Sequence, residues 1–435
     1  MSDTDAETGR NFAFVAAGEI PAAEPPARTT GIVHWAKDNL FSSPLNIGLS
    51  VLSIIVIVWF IPPILKWAFI DAVWSAGSLK ECRAISPEGA CWAMINERFG
   101  QYLFGFYPPE LIWRPILAFV LMFVALAPVL FDRVPRKLLL LTVLFPFVAF
   151  WLIWGGSFWN VVGIVLGPIV GWLAFGAVMR IGGMLPALII GILVTFLWWA
   201  IGIDLFDDIV SAILPIGLQP VDSGRLGGFL PPLLPGVTGI TASFPLGVLL
   251  ALGRQSGLIF IKAVCVMFIE FIRGVPLITL LFVASTVLNY FLPPGTTFDL
   301  VLRVLIMVTL FAAAYMAEVV RGGLAALPRG QYEAAHALGL DYWKSMRLII
   351  LPQALKISIP GIVNTFIGLF KDTTLVIIIG LLDPLGLTGT IRATQEWNGI
   401  VAEPYVFIAA FFFIFCFGMS RYSAYLERKL ETGHR

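Results

Sequence analysis

The chain has 435 residues, of which 59% are hydrophobic and 13% are charged, and its formal net charge is +1. Soluble globular proteins carry about 25% charged residues, so this composition excludes an ordinary soluble domain, and the net charge gives no electrostatic support to a nucleic-acid partner. The apolar residues form continuous runs, such as those starting at Leu45 and Ala410. Several runs reach the roughly 20 residues that a helix needs to cross a bilayer, and they lack the alternation of β-barrel strands. The sequence therefore predicts an all-α polytopic membrane protein.

Residues 1–44 predict a cytoplasmic tail. The first 30 residues are polar and rich in Pro and Ala, a composition typical of disordered segments. The opening stretch MSDTDAETGR lacks the basic and apolar regions of a signal peptide. We therefore expect a disordered tail and no cleaved signal peptide.

Ten hydrophobic stretches follow, and we predict about ten transmembrane helices from them. Five belong to an N-terminal extension, residues 45–228, and five to a second part, residues 229–430. No internal repeat is visible, so the pattern lacks the inverted halves of many secondary transporters. Glu270 and Arg273 interrupt the seventh stretch, which predicts a short cytoplasmic helix followed by a span. The predicted spans are residues 46–65, 114–131, 137–154, 159–179, 184–203, 229–252, 263–291, 301–323, 355–380 and 404–425.

Basic residues in the connections predict the orientation, because Lys and Arg are enriched in cytoplasmic loops. With the N-terminus in the cytoplasm, the basic segment 321–356 and the basic tail from Arg421 both fall inside. The predicted extracytoplasmic loop 66–113 departs from this rule, since it carries basic residues such as Lys80 and Arg83. We predict a multi-pass membrane protein with both termini cytoplasmic.

Two of the four cysteines, Cys82 and Cys91, lie in the first outer loop. Their spacing of nine residues is compatible with a disulfide and with two free thiols. The predicted orientation favours the disulfide, because it places both residues outside the cytoplasm. No histidine lies nearby, which argues against zinc, and we predict no metal site in the chain.

The segment 317–361 contains a predicted short helix on the cytoplasmic side. Pro328 suits the first turn of a helix, and Glu333 and the residues after it are good helix formers. Gly339 is placed to end the helix, where a positive φ angle is often needed. Pro352 is expected to break the chain before the next span.

This predicted helix has a small apolar face of Ala334, Ala337 and Leu338. Small side chains allow another surface to approach the backbone closely. Such a face between basic flanks fits a docking site for a partner protein. It equally fits an interfacial helix that lies on lipid headgroups.

The spacing of this segment resembles the EAA loop of binding-protein-dependent ABC importer permeases. From Glu333 the sequence runs Glu-Ala-Ala, three residues, Gly, nine residues, Ile, one residue and Leu-Pro, which fills every defined position of the family pattern. In that family the helix of the loop inserts into a cleft on the ATPase subunit and couples ATP hydrolysis to gate movement. The resemblance implies ATPase-coupling roles for Glu333, Ala334, Ala335, Ala337, Leu338, Gly339, Ile349, Leu351 and Pro352.

Further stretches resemble the polar amino-acid (histidine/glutamine-type) branch of this family. They include PLGVLLALGRQSG, FIEFIRGVPLITLLF and FKDTTLV. The five-span extension resembles that of the longer permease subunit of the general L-amino-acid ABC transporter. The sequence departs from the family at Pro231, Pro232 and Pro235, where a Thr/Leu-rich span is usual.

The resemblance implies a type I ABC-importer permease core at residues 229–430, with the EAA loop at 324–352. It also implies three protein partners: a second permease subunit, an ATP-binding subunit on the cytoplasmic side and an extracytoplasmic solute-binding protein. The substrate would be an L-amino acid, and the membrane would be a bacterial cytoplasmic (inner) membrane. The chain itself would bind no cofactor, since ATP and Mg would belong to the partner ATPase.

Charged residues within apolar runs are candidates for helix pairing or for the pathway, because each costs about 2.5–3.5 kcal/mol to insert. Glu270 with Arg273, and Glu318 with Arg321, have the i,i+3 spacing of pairs on one helix face. Either pair fits a salt bridge that fixes helix position or a gate. Lys371 and Asp372 lie deeper in their run, where an interhelical and a pathway role are equal alternatives.

Two other functional classes are less consistent with the sequence. A membrane-embedded enzyme is disfavoured because the three histidines, His34, His336 and His434, are scattered. No GxxxxGK[ST] phosphate loop occurs, so ATP would be bound by another subunit. The alternative function is a self-sufficient secondary transporter or channel, which would account for the spans but not for the EAA spacing.

Overall fold

The computed structural model describes residues 31–131, 133–287, 290 and 299–430. Its helices are joined by short turns and one small sheet. Two units divide these residues: a smaller one at 31–72 and 88–90, and a larger one at 73–87 and from 91 onward. Each unit is described by itself.

The smaller unit consists of two helices and a π-helical turn. Helix α1 spans Ile32–Asn39, helix α2 spans Pro44–Leu65, and the turn spans Lys66–Ile70. Ser43 caps α2 by accepting a hydrogen bond from the Asn46 N–H at 3.2 Å. Most of the predicted tail lies outside the described residues, but its last part forms α1.

The larger unit is helical from its first loop to its last span. Its helices are α3 (Leu79–Ile85), α4 (Ala93–Phe104), α5 (Trp113–Leu130), α6 (Leu139–Trp154), α7 (Phe158–Gly182), α8 (Met184–Leu197), α9 (Ile203–Ile213), α10 (Leu230–Arg254), α11 (Ile259–Gly274), α12 (Leu277–Phe282), α13 (Leu300–Ala326), α14 (Arg329–Ala337), α15 (Tyr342–Ser345), α16 (Leu351–Asp372), α17 (Pro384–Arg392) and α18 (Ala402–Leu430). Strands β1 (Gly156–Ser157) and β2 (Gly217–Leu218) pair antiparallel, with Gly156 opposite Leu218.

Short π and 3-10 segments extend or link these helices. The π turns of the larger unit are Trp198–Gly202, Val283–Val287 and Met346–Ile350. The 3-10 turns are Pro109–Leu111, Arg136–Leu138, Ser223–Arg225 and Thr373–Ile379.

Each of the ten predicted spans overlaps a helix, but fewer of these helices are long enough to cross a membrane. Within the described residues, eight helical runs are sufficiently long and apolar. The runs Ile259–Gly274 and Leu277–Val287 would form a ninth span, although they meet at a bend of 101°. Helix α6, with 16 residues, is shorter than a span. The protein is therefore an all-α polytopic membrane protein, and the described part of the chain contains eight or nine candidate spans.

Helix α13 lies at the centre of the second part of the chain. It packs against α10 on one side and α16 on another, and α16 packs against α18. The crossing of α13 with α16 is close, because a Cβ atom at Gly323 would lie 2.5 Å from the carbonyl oxygen of Ala354. Small residues permit such close approach between helices in membranes.

The prolines at the start of the second part are accommodated in a regular helix. Pro231 and Pro232 occupy the first turn of α10, where the missing N–H groups would have no partner in any case. Pro235 lies inside the helix, which continues to Arg254.

Two clusters of buried residues lie beside the sites described below. The disulfide cluster includes Cys82, Cys91, Met94, Tyr102, Phe229, Trp397, Ile400 and Ile408. The loop cluster includes Met316, Val320, Leu324, Met346, Ile350 and Ala354.

Candidate functional site

The motif residues form a short helix between two long helical runs. Helix α14 follows Pro328, and Gly339 has a φ angle of +69° just after its end. Proline suits a helix start because it lacks an N–H that would be unpaired there, and glycine adopts positive φ without a steric cost. The Gly339 N–H donates to the carbonyl oxygen of His336 at 2.9 Å. The predicted short helix is thus present with its predicted ends.

Helix α14 exposes a small apolar face. Ala334, Ala337 and Leu338 are exposed, and the side chain of Leu338 is 73% exposed. Ala335 is fully buried beneath them, and Glu333 is exposed. An exposed leucine beside two alanines forms a flat apolar surface that a partner can approach closely.

Side-chain hydrogen bonds hold α14 against the neighbouring spans. Tyr332 donates its hydroxyl hydrogen to the Leu324 carbonyl oxygen of α13 at 3.3 Å. Gln353 of α16 donates to the side-chain oxygen of Gln331 at 3.0 Å and to the Ile349 carbonyl oxygen at 2.9 Å. The loop cluster fills the space below. Helix α14 is therefore attached to both α13 and α16.

The prediction that Pro352 breaks the chain is wrong. Helix runs without interruption through Tyr342–Ile379, and Pro352 is the second residue of α16. A π turn at Met346–Ile350 immediately precedes it. That turn shifts the backbone hydrogen bonds by one residue, so the missing proline N–H is accommodated. Of the other motif residues here, Ile349 and Leu351 are half-buried.

Glu318 and four other charged side chains from α10, α11 and α13 lie close together. Arg321 Nε donates to Glu318 Oε1 at 2.7 Å. Glu318 Oε2 lies 3.4 Å from Arg254 Nη1 and 3.8 Å from Arg273 Nη1. Arg254 Nη1 also donates to Glu270 Oε1 at 2.7 Å. The Glu318 side chain is 24% exposed, so its interactions are screened less than those of surface pairs. Glu318 therefore links three helices electrostatically.

This arrangement differs from the pairing expected from sequence spacing. Arg321 pairs with Glu318 as expected, but Glu270 of α11 pairs with Arg254 of α10 instead of its own helix neighbour Arg273. Helix α11 packs against both α10 and α13, which brings interhelical partners within reach. Arg254 was missed because it is 16 residues from Glu270, and only the fold brings the two together.

Lys371 and Asp372 lie at a change of helix type. Helix α16 ends at Asp372 and continues as the 3-10 turn Thr373–Ile379. The Thr374 hydroxyl donates to the Lys371 carbonyl oxygen at 2.9 Å. The Lys371 side chain is exposed and Asp372 is half-buried. A role for these two residues in the pathway stays a prediction.

A second polar site surrounds the disulfide that joins Cys82 to Cys91, whose Cα atoms are 5.8 Å apart. Glu403, the second residue of α18, is 1% exposed and accepts the Cys91 backbone N–H through Oε1 at 2.9 Å. Arg83 Nη2 lies 3.7 Å from the same oxygen. The sequence signal for Glu403 was an acidic residue at the start of an apolar run, but its partners could not be found without the fold.

Asp383 caps helix α17 near this cluster. Its Oδ1 accepts the Gly386 N–H at 2.8 Å, and the carboxyl group is fully buried. Burial raises the pKa of Asp383 to about 6, although hydrogen bonds from the backbone of Gly386 and Leu385 oppose this shift. Sequence analysis did not single out Asp383, since its burial depends on the surrounding helices.

Neither polar site resembles a metal centre. Within the described ranges, no three His, Cys, Asp or Glu side chains are grouped so that they could hold a metal ion. The arginine-rich surroundings of Glu318 and the backbone N–H that donates to Glu403 suit structural pairing of helices and loops.

The chain is similar to known membrane transport proteins. A family model described as "Binding-protein-dependent transport system inner membrane component" matches residues 243–432. The chain is 53% identical to the glutamate/glutamine/aspartate/asparagine transport system permease protein of Rhodobacter capsulatus, over 100% of both chains. It is 40% identical to an inner membrane amino-acid ABC transporter permease protein of Escherichia coli, over 92% of this chain and 93% of that protein.

A shorter relative is also similar. A probable glutamine ABC transporter permease protein of Bacillus subtilis is 32% identical over 48% of this chain and 94% of its own length. The two longer relatives therefore match nearly the whole chain, whereas this one matches about half.

Proposed function

The chain belongs to the amino-acid ABC transporter permeases, and on that premise we propose that it forms half of the translocation pathway of an ATP-driven L-amino-acid importer. It is a multi-pass inner-membrane protein, and its relatives are named as permeases, which are non-catalytic transport components. In the proposal, α14 contacts a separate ATPase subunit that binds ATP and Mg. A second permease subunit completes the pathway, and an extracytoplasmic binding protein delivers the substrate.

The observation that carries this proposal is the exposed face of α14. Its apolar residues are held in place by Tyr332 and Gln331 instead of being buried within the chain. Exposed Arg329 precedes the face, and exposed Lys344 follows it. An apolar surface between basic flanks suits an apolar area with acidic edges on a partner protein.

The same geometry supports coupling as well as docking. Helix α14 contacts α13 and α16 through hydrogen bonds, and Glu318 lies two turns before the end of α13. Through Glu318, α13 is paired with α10 and α11. A displacement of α14 would therefore move several core helices together, and this is what a coupling element requires.

The proposal also divides the chain into parts and orients it in the membrane. Residues 45–228 are the extension, residues 229–430 the permease core, and residues 324–352 the loop that contacts the ATPase. This orientation puts α14 and both termini in the cytoplasm and the Cys82–Cys91 disulfide outside. A disulfide is stable in an oxidising compartment, which supports this choice.

The proposed substrates are the L-amino acids named for the Rhodobacter capsulatus relative: glutamate, glutamine, aspartate and asparagine. The identity of 53% over the full length makes them the first candidates to test.

Reconstitution of the permease pair with its ATPase and binding protein in lipid nanodiscs would test the proposal. Each of the four amino acids is added and ATP hydrolysis is measured. We expect stimulated hydrolysis in the wild type, and basal hydrolysis with loss of ATPase co-purification in Leu338→Asp, because a charge would enter an apolar contact. His336→Asp is the matched control, since His336 is exposed on α14 but about 200° from Ala334.

Two results would contradict the proposal. One is normal ATPase co-purification and normal stimulation in Leu338→Asp. The other is amino-acid uptake into liposomes that contain this chain alone and an ion gradient, which would support a secondary transporter instead.

A further inference from the structure

The first loop of the extension is tied to the segment that links the last two spans. We call residues 73–87 and 91–104 the disulfide segment, and residues 381–403 the linking segment. The Leu79 N–H donates to the Glu396 carbonyl oxygen at 2.8 Å. Tyr102 and Thr388 share a hydrogen bond of 3.0 Å between their side-chain oxygens. These bonds attach the disulfide segment to helix α17 and to the loop after it.

A buried apolar core accompanies these hydrogen bonds. Trp397 and Ile400 of the linking segment are fully buried in the disulfide cluster, together with Cys91 and Met94. Both segments contribute to one core, so neither can move away without exposing large apolar side chains. The two segments therefore form one structural module.

Glu403 is the electrostatic anchor of this module. Its carboxylate is buried at the start of α18, where the helix dipole favours negative charge. The groups facing Glu403 Oε1 come from the disulfide segment: the Cys91 backbone N–H at 2.9 Å and the Arg83 guanidinium at 3.7 Å. A buried carboxylate without these partners would be strongly disfavoured. The last span is thus positioned by residues of the extension.

The disulfide holds these two partners of Glu403 in place. Arg83 directly follows Cys82 in helix α3, and Cys91 supplies the N–H group. The Cys82–Cys91 bond joins the two positions covalently. A cross-link reduces the conformational freedom of the loop that it closes. The disulfide therefore keeps Arg83 and the Cys91 N–H group close to the positions in which they contact Glu403.

We infer that the disulfide segment of the extension is a positioning element that fixes the linking segment and the start of the last span through Glu403. The effect on transport rests on the proposed function, because the linking segment connects the last two spans of the proposed core. Loosening it changes the relative energies of the conformations of the core, and hence the coupling of amino-acid arrival to ATP hydrolysis.

Hydrogen–deuterium exchange of the reconstituted complex tests the positioning directly. The variants are the double substitution Cys82→Ser/Cys91→Ser and the single substitution Glu403→Gln. The folded wild type is also measured after its disulfide has been reduced, so that a folding defect cannot explain the result. We expect exchange of residues 381–403 to rise at least about tenfold in each case, with α14 unchanged. Glu396→Gln and Cys416→Ser are the matched controls, since Glu396 is exposed and Cys416 is a free cysteine.

ATP hydrolysis by the same samples supplies the second measurement. The ratio of amino-acid-stimulated to basal hydrolysis should fall by about fivefold or more in Glu403→Gln, while ATPase co-purification stays normal. Unchanged exchange in residues 381–403 would overturn the inference. Faster exchange with an unchanged ratio would overturn the effect on transport and leave a purely structural contact. A wild-type complex without stimulation would refute the proposed function, and the exchange experiment would still decide the attachment.

Discussion

The buried carboxyl group of Asp383 allows a pH-dependent test of the structure. The substitution Asp383→Asn keeps a side-chain oxygen that can accept the Gly386 N–H, which Asp383 Oδ1 accepts at 2.8 Å. It removes only the ionisable group. Burial raises the pKa of Asp383 from 3.8 to about 6 in the folded protein, so the folded state holds this proton more tightly than the unfolded state.

The sign of the effect follows from proton linkage. A carboxyl group with a raised pKa contributes stability that is fully present below pH 3.8 and is lost as the pH rises through about 6. The interval between these two pKa values corresponds to about 3 kcal/mol. Between pH 4 and pH 7, the wild type should therefore lose up to about 3 kcal/mol of unfolding free energy relative to Asp383→Asn.

Thermal unfolding of the two proteins in nanodiscs, at several pH values from 4 to 7.5, measures this difference. Subtracting one curve from the other removes the contribution of other carboxyl groups. We expect the variant to gain in melting temperature over the wild type as the pH rises, with no further gain above pH 7. Asp341→Asn is the control, because Asp341 is exposed and hydrogen bonds from Lys344 lower its pKa. Parallel curves for wild type and Asp383→Asn would refute the reasoning.

Three further substitutions test separate parts of the structure. Gly228→Ala should sharply lower the yield of folded protein in size-exclusion chromatography. Gly228 has a φ angle of +63°, and a Cβ atom there would overlap the Tyr102 carbonyl oxygen. A normal yield of folded protein would contradict this packing. Glu318→Gln should destabilise the protein by about 1–3 kcal/mol in thermal unfolding, since Arg321 loses a charge-assisted hydrogen bond, and an unchanged melting temperature would argue against the network. Gly339→Val should reduce amino-acid-stimulated ATP hydrolysis more than Gly339→Asn, because Asn tolerates the φ of +69° and Val does not; equal activity of both variants would contradict the role of this turn.

Local features of the second part were predictable because each depends on few neighbouring residues. Pro328 and Gly339 mark the ends of α14 through backbone chemistry alone. The apolar face of Ala334, Ala337 and Leu338 follows from helical periodicity. The all-α class followed from run length and composition, although α6 is shorter than the span predicted for it.

Contacts between distant segments could not be predicted in the same way. The sequence contains a carboxylate at Glu403 and a cysteine at Cys91, 312 residues apart, and nothing in the spacing relates them. The pairing of Glu270 with Arg254 also depends on how α10 and α11 pack. Proline was overestimated as a helix breaker at Pro352, because a preceding π turn cannot be recognised from composition.

One long helical run lies between α14 and the linking segment. The run Tyr342–Ile379 starts beside α14 and ends just before Gly380. Asp383 and α17 follow directly, and these residues are attached to the disulfide segment through Thr388. The disulfide segment is therefore attached close to the C-terminal end of this run, and the N-terminal end of the run lies beside α14.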